Sequence, residues 1–442
     1  MHIAFLKTHT VIIGAGITGL STAHFLSKKT NDFLLIEKEN RVGGNLHSEK
    51  IDGFLLENGP NTVLINNPSI QQLINDCQLE NALIFPSEAA NKNRYILRRG
   101  ALQVLPKNPK EVVTTPILKW HEKLAIFKDL FLPKNKQNTS VSSFVKYRFG
   151  KGVLDSFIEP FLTGIYAGDI EKMSAKHTLK KGWDLEQKYG SIIKGLKQKA
   201  TTKNPQIFNF SEGLSFLTQT LAKKNAKHLM LNTSVQQIQK LKNGFQLTTN
   251  KNTIQCQRII STVPAFVLAS IIEDYHFKKA LNSIEYVPVD VFHFGFKKED
   301  VKNQKQGFGV LTKPSDKKHF LGILFNNRIF PHVCSNDNEL FTVIVGGSKQ
   351  GNLCKQAPET LQPLVLNEIN EILECYTDPI FSNHVRYPKG IPQYHLNYEK
   401  FLKDVDDFKK NNANFHILGN YLNGVSVSDC IQNAHLLVKI LN

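Results

Sequence analysis

The sequence has few of the residues that mark several common protein classes. Its 442 residues contain six cysteines, three methionines and two tryptophans. The cysteines (Cys77, Cys256, Cys334, Cys354, Cys375 and Cys430) form no Cys-x-x-Cys pair. That spacing excludes a disulfide framework and a structural zinc ribbon, and fits reduced thiols. The fifteen histidines are dispersed and His-Glu-x-x-His is absent, so no metal ligand is nominated. No apolar run approaches the ~18 residues that cross a bilayer, so a membrane partner would be met at its surface. Residues 1 to 10 read as too short and polar for a secretory signal. Internal repeats and low-complexity tracts are also missing. With 41% hydrophobic and 21% charged residues, the chain can bury sizeable cores, and its length implies two or three domains.

Acidic residues are scarce, but only locally. The chain carries 55 Lys and Arg against 38 Asp and Glu, a formal charge of +17. Residues 91 to 205 hold 23 basic and 9 acidic side chains, a net of +14, whereas the remainder is nearly neutral. One basic segment in a neutral protein points to a local anionic partner: nucleic acid, a membrane surface or an anionic substrate.

The first forty-five residues carry the most specific pattern. The apolar run Val11-Ile12-Ile13 breaks into Gly14-Ala15-Gly16-Ile17-Thr18-Gly19, and a helical pattern follows through Leu20, Ala23 and Leu26. In such a strand–turn–helix unit, Gly14 permits the tight turn and Gly16 lets backbone approach a pyrophosphate. Gly19 allows close helix–strand packing, and the free amides at the helix start face the phosphates. A second run, Phe33 to Ile36, ends at Glu37, where a carboxylate can accept from ribose hydroxyls. An acid rather than an arginine there argues against a 2′-phosphorylated cofactor. Arg41-Val42-Gly43-Gly44 then reads either as a turn or as a second cofactor fingerprint. Near the other end, Gly419-Asn420 and Gly424-Val425-Ser426-Val427 precede a helical run. Spacing alone makes this a capped C-terminal helix with Ser428 or Asp429 as N-cap.

The Arg-x-Gly-Gly stretch resembles the second fingerprint of FAD-dependent amine oxidases. Further segments resemble the protoporphyrinogen/coproporphyrinogen oxidase family in chain order. They include Leu56-Glu57-Asn58-Gly59-Pro60-Asn61, Arg94 to Gly100, Glu159 to Asp169, Gly307 to Leu311, Leu321 to Phe325 and Val345 to Ser348. The resemblance implies an α/β fold: a Rossmann-like FAD-binding domain, a β-sheet substrate domain and a mostly helical membrane-associated domain. The implied boundaries are 1–85, 206–270 and 399–442 for the FAD domain, 86–205 for the helical domain and 271–398 for the substrate domain. FAD would be held by Gly14, Gly16, Ile17, Thr18, Gly19, Glu37, Lys38, Arg41, Gly43 and Gly44. Gly59, Pro60, Asn61, Val235, Gly419, Asn420, Gly424, Val425, Ser426 and Val427 would complete that set. Asn58 would lie near the flavin ring.

The same resemblance implies a porphyrinogen substrate, whose apolar macrocycle needs sandwiching side chains and a guanidinium for its carboxylates. Arg98 matches the carboxylate-binding arginine, Leu311 and Leu324 the ring-contacting positions, and Gly164 the loop facing the substrate. Ile344 stands where plant relatives have a stacking aromatic, so burial replaces stacking there. The implied reaction removes six electrons from protoporphyrinogen IX by hydride transfer from a meso carbon to flavin N5, with dioxygen as acceptor. Coproporphyrinogen III is the alternative substrate, and an amine oxidase or carotene desaturase the alternative activity. No protein side chain is nominated as catalytic, because the flavin carries the chemistry.

Residues 91 to 205 read as mostly helical, and 117 to 131 as a basic amphipathic helix of the interfacial kind. The alternative is a core-packed helix with a solvated lysine face. No finger, RRM or helix-turn-helix pattern is present, so nucleic acid is not expected as a partner. The expected partners are the porphyrinogen, dioxygen and a membrane surface, with a homodimer left open. The expected location is the cytoplasm, peripherally on the inner membrane.

Overall fold

A computed structural model describes residues 4–198 and 206–441. The strand Ala4–Ile13 lies inside the first sheet, paired in parallel with Phe33–Ile36 on one side and Asn252–Ser261 on the other. Leu229–Met230 and Phe415–Ile417 add in parallel. An antiparallel meander, Val235–Leu241 and Gly244–Thr249, joins Asn252–Ser261 along its first half. Val11 and Ile12 are fully buried, as expected of a parallel strand covered on both faces. Helices Ile17–Ser27 and Val427–Ile440 pack together on one face, with Phe25 stacked on His435 at 4.2 Å between ring centroids. The C-terminal segment thus completes the nucleotide-binding layer begun by the N-terminal one.

The second sheet is antiparallel except for one parallel pair. Its strand order is Phe381–Pro392, Tyr286–Lys297, Asn338–Gly346, Gly322–Phe325, Gly309–Leu311, Tyr95–Arg98 and Ala101–Val104. Strand periodicity gives it two different faces. Phe292, Phe294, Val310, Ile323, Phe341 and Val343 point to one face and form a core with Leu361, Val365 and Ile369 of helix Pro358–Leu373. The opposite face carries Leu311, Leu324 and Ile344, all only partly buried.

Two local expectations are corrected. Tyr95–Arg98 and Ala101–Val104 are strands rather than part of a helical run, because they close the edge of the second sheet. The C-terminal helix is capped by Ser426, not by Ser428 or Asp429. Gly424 (φ +132°) turns the chain earlier, and Ser426 forms a capping box with Asp429.

From Pro109 to Gln198 the chain is a set of short helices. Residues 199–205 of the basic region lie outside the described residues. Within 117–131, Ile117 and Leu118 are buried anchors, Trp120–Ile126 is helical and Phe127–Leu130 is a tighter turn. This unit encloses a charged core: Arg148, Asp129 and Glu186 are wholly buried side chains. Among the described residues no helix is long and apolar enough to cross a membrane.

Candidate functional site: a flavin cradle beside an apolar sheet face

The nucleotide-binding features converge at the carboxyl end of the first sheet. Gly14 adopts φ +98°, and a Cβ on Gly19 would strike the Gly14 carbonyl oxygen, so the turn and the helix start require glycine. Gly16 caps helix Ile17–Ser27 with no side-chain hydrogen bond, which leaves the first-turn amides available to phosphate. The buried Glu37 carboxylate accepts from Ala15 N at 2.7 Å and from Glu39 N at 3.0 Å. One lone pair per oxygen remains for ribose hydroxyls.

The second fingerprint closes over the first. Gly43 bridges to Gly16 and donates its N–H to Ala15 O at 2.8 Å. A Cβ on Gly44 would sit 3.4 Å from the Gly16 Cα, and Arg41 Nη1 donates to Gly44 O at 3.1 Å. Lys38 and Arg41 are exposed, and Lys38 pairs with Glu39 at the surface. Val235 is buried at the start of its strand, two residues after Thr233, whose N–H donates to Glu37 O at 2.8 Å. At the other end of the chain, the Thr18 hydroxyl faces the Cys430 thiol, so the N-termini of the two packed helices meet. Gly424, Val425 and Ser426 are partly exposed there. The residues present fit FAD: a bare amide-lined turn, a buried ribose acceptor and two glycine-lined close approaches.

Residues 57–61 link this cradle to the second sheet. A Cβ on Gly59 would strike Asn45 O, so the backbone must pass close. Asn58 is 1% exposed; its Nδ2 donates to Glu49 Oε2 at 2.6 Å, while its Oδ1 has no donor among the described residues. Asn61 Oδ1 accepts from Asn326 at 3.0 Å, and His293 of the second sheet lies with Nε2 3.2 Å from Glu57 O. Burial holds His293 neutral, its pKa lowered to about 4. Burial also raises the Glu57 carboxyl to about 7, although Ser48, Leu214 N and Asn209 all donate to it.

The residues expected to meet the substrate share the partly exposed face of the second sheet. Cross-strand pairing runs Ile96–Leu311–Gly322–Ile344–Val291 as one row. Leu324 and Arg98 stand two residues from Gly322 and Ile96 and therefore project to the same side. Helix Glu159–Tyr166 covers that side; a Cβ on Gly164 would come within 2.7 Å of Leu311 Cδ2. Arg98 Nη1 donates to the carbonyls of Pro116 and Ile117, which orients the guanidinium at the rim. Arg98, Gly164, Leu311, Leu324 and Ile344, dispersed over 247 positions of sequence, are thus gathered around one surface.

Sequence reasoning missed Glu57 and His293, which join these parts. Glu57 lies inside a quoted motif and His293 on an alternating strand, but neither spacing signals a partner.

Comparison with known proteins agrees with this geometry. The model of the flavin containing amine oxidoreductases matches residues 17–437. Protoporphyrinogen oxidase 2 of Arabidopsis thaliana is 30% identical over 466 residues, covering 95% of this chain and 91% of the relative. The coproporphyrinogen III oxidase of Bacillus subtilis (strain 168) is 26% identical over 462 residues, covering 98% and 97%. A solved structure from Exiguobacterium sp. 255-15 superposes with a TM-score of 0.85 at 22% identity, covering 98% of both chains. A putrescine oxidase superposes at 0.73 with 13% identity, also over 98% of both, so the fold is shared beyond the closer relatives.

The chain belongs to the flavin containing amine oxidoreductase family and, within it, to the protoporphyrinogen/coproporphyrinogen oxidases. It is an oxidoreductase, and its cofactor is FAD.

Proposed function

We propose that the protein oxidises protoporphyrinogen IX to protoporphyrin IX. The observation that carries this reading is the gathering of Leu311, Leu324, Ile344 and Gly164 on one sheet face, with Arg98 at its rim. That face suits an apolar macrocycle with few carboxylates, and Arg98 is the one cation assigned to it. Coproporphyrinogen, with four carboxylates, would call for more cationic contacts. FAD, when bound, supplies the hydride acceptor, and dioxygen would reoxidise it.

The chain's own residues orient and shield. Glu37 and the amides after Gly16 would hold the dinucleotide, and residues 59–61 with the 419–427 loop would hold the ring end. Leu311 and Leu324 exclude water from the macrocycle, and Arg98 fixes one edge of it. His293 and the Glu57 carbonyl keep the cradle and the substrate sheet in register.

The basic unit is proposed to dock on an anionic membrane surface, peripherally and from the cytoplasmic side. Trp120, Leu124, Phe127 and Phe131 are 73%, 58%, 49% and 86% exposed, among Lys119, Lys123 and Lys128. Apolar side chains turned to solvent from a basic segment suit a lipid interface better than a packed helix. Phe161 and Ile165 of the helix covering the substrate face are also exposed, which extends the apolar surface toward the site.

Anaerobic mixing with protoporphyrinogen should bleach the flavin absorbance, and admitting dioxygen should restore it and, over three turnovers, produce porphyrin fluorescence. Bleaching by coproporphyrinogen alone would move the assignment to that substrate, and bleaching by neither would overturn it.

A further inference from the structure

Two adjacent residues outside the sites described so far touch both halves of the reaction centre. Gln393 and Tyr394 follow the last strand of the second sheet, Phe381–Pro392, and are 1% and 2% exposed. Gln393 Nε2 donates to Tyr166 O at 2.8 Å, at the C-terminal end of the helix that lays Gly164 against Leu311. Its Oε1 lies so close to Gly168 that any side chain there would collide with it.

Tyr394 reaches the opposite way. Its hydroxyl donates to Asn420 O at 2.6 Å and accepts from Gly424 N at 3.2 Å, spanning the loop between Gly419 and Ser426. The ring stacks on Tyr398, with centroids 4.5 Å apart, and its own carbonyl accepts from Ser174 N at 2.8 Å. Deep burial raises the phenol's pKa well above its ordinary value, so the hydroxyl stays a donor across the working pH range. Without that hydroxyl, Asn420 O and Gly424 N lose a partner at a glycine turn (φ +132°), while the stacked Tyr398 holds the neighbouring Tyr421 O at 2.8 Å.

We propose that Gln393 and Tyr394 form a rigid tie that sets the spacing between the flavin-holding loop and the substrate-side helix, making Tyr394 a positioning residue for the oxidation. The proposal rests on the reading that residues 419–427 hold the flavin. Hydride transfer depends steeply on donor–acceptor distance, and a displacement of ~1 Å can cost on the order of a hundredfold in rate. A tie that grips the loop through one side chain and the helix through its neighbour fixes that distance from both sides.

The test uses the full chain and three variants. Tyr394→Phe keeps the ring stack and removes the hydroxyl. Its apoprotein should bind FAD about tenfold more weakly, and the FAD-loaded form should show roughly tenfold slower flavin reduction by protoporphyrinogen in single turnover. Substrate affinity should change by less than about twofold. Tyr95→Phe is the control, because it loses a comparable buried bond, from Tyr95 Oη to Gln306 O at 2.9 Å, on the other face of the second sheet. It should lower thermal stability and leave FAD affinity and reduction rate unchanged. Gln393→Leu cuts the other arm and should slow flavin reduction with FAD affinity retained; it serves also if Tyr394→Phe does not fold.

Tyr394→Phe behaving like Tyr95→Phe would reduce Tyr394 to packing and overturn the proposal. So would a wild-type reduction rate in Gln393→Leu. A wild-type chain that binds no FAD would overturn the flavin reading itself, a result distinct from either of these.

Discussion

Arg148 is none of the nominated site residues, yet its loss should be the costliest single change in the helical unit. Its guanidinium is wholly buried between Asp129 and Glu186, both also wholly buried. It donates to Asp129 Oδ1 at 3.2 Å, to Glu186 Oε1, and to the carbonyls of Pro133 at 2.6 Å and Leu132 at 3.3 Å. The carboxylates are further satisfied by Ser191 Oγ (2.5 Å), Ile193 N (2.9 Å) and Asn135 N (2.8 Å). Arg148→Met leaves two buried acids with no cation. Breaking a buried pair costs ~3–5 kcal/mol, and an orphaned carbonyl adds ~1–3 kcal/mol. The sum is a large share of the ~5–15 kcal/mol that holds a typical fold together. The turn Phe127–Leu130, which carries Asp129, should be released first, and with it the proposed docking face.

The assay is direct because both tryptophans belong to this unit. Trp183 is 7% exposed and packs on Phe144, whereas Trp120 is 73% exposed. Urea unfolding followed by tryptophan emission should show this unit destabilised by about 4 kcal/mol or more in Arg148→Met. Adding Asp129→Asn and Glu186→Gln removes the uncompensated charge and should restore part of that loss. A shift below about 1 kcal/mol in the single variant, or no recovery in the triple, would refute the assignment of the unit's rigidity to this ion cluster.

Glu57 should impose a pH slope. Its folded pKa, about 7, lies above the ordinary glutamate value, so the folded state binds more protons and stability falls as pH rises between roughly 4.5 and 7. Glu57→Gln should flatten that fall, worth about 3 kcal/mol by pH 8, in urea titrations of the apoprotein; an unchanged slope would show that another group sets it. Arg98→Ala should raise KM by about tenfold or more while changing kcat less, because a carboxylate is held in ground and transition states alike. Steady-state kinetics with an unaltered KM would reject Arg98 as its partner. Replacing Trp120 and Phe131 by Ser should weaken cosedimentation with anionic vesicles at least tenfold and leave FAD affinity unchanged; undiminished binding would place the docking surface elsewhere.

The legible parts of the sequence share one property: their physics is local. Gly14, Gly16 and Gly19 are a turn and a helix start within six residues, and Glu37 ends the next strand, so spacing alone placed them in one cradle. Arg98, Leu311, Leu324 and Ile344 are different. Each is ordinary in isolation, and only the family resemblance singled them out. The exposed position of Trp120, Leu124, Phe127 and Phe131 was equally undetermined, since an amphipathic stretch can turn its apolar side inward or outward.

What the sequence determined by itself was the nucleotide-binding opening, the family and the location of the basic excess, because turn sterics, periodicity and charge act over a few residues. The tertiary structure decided the rest. Cross-strand register put Arg98 on the same sheet face as Ile344, and burial made Arg148 the pivot of the helical unit. Chain return brought Tyr394 to the Gly424 turn. Those relations depend on long-range pairing and exclusion from water, which nearest-neighbour sequence does not encode.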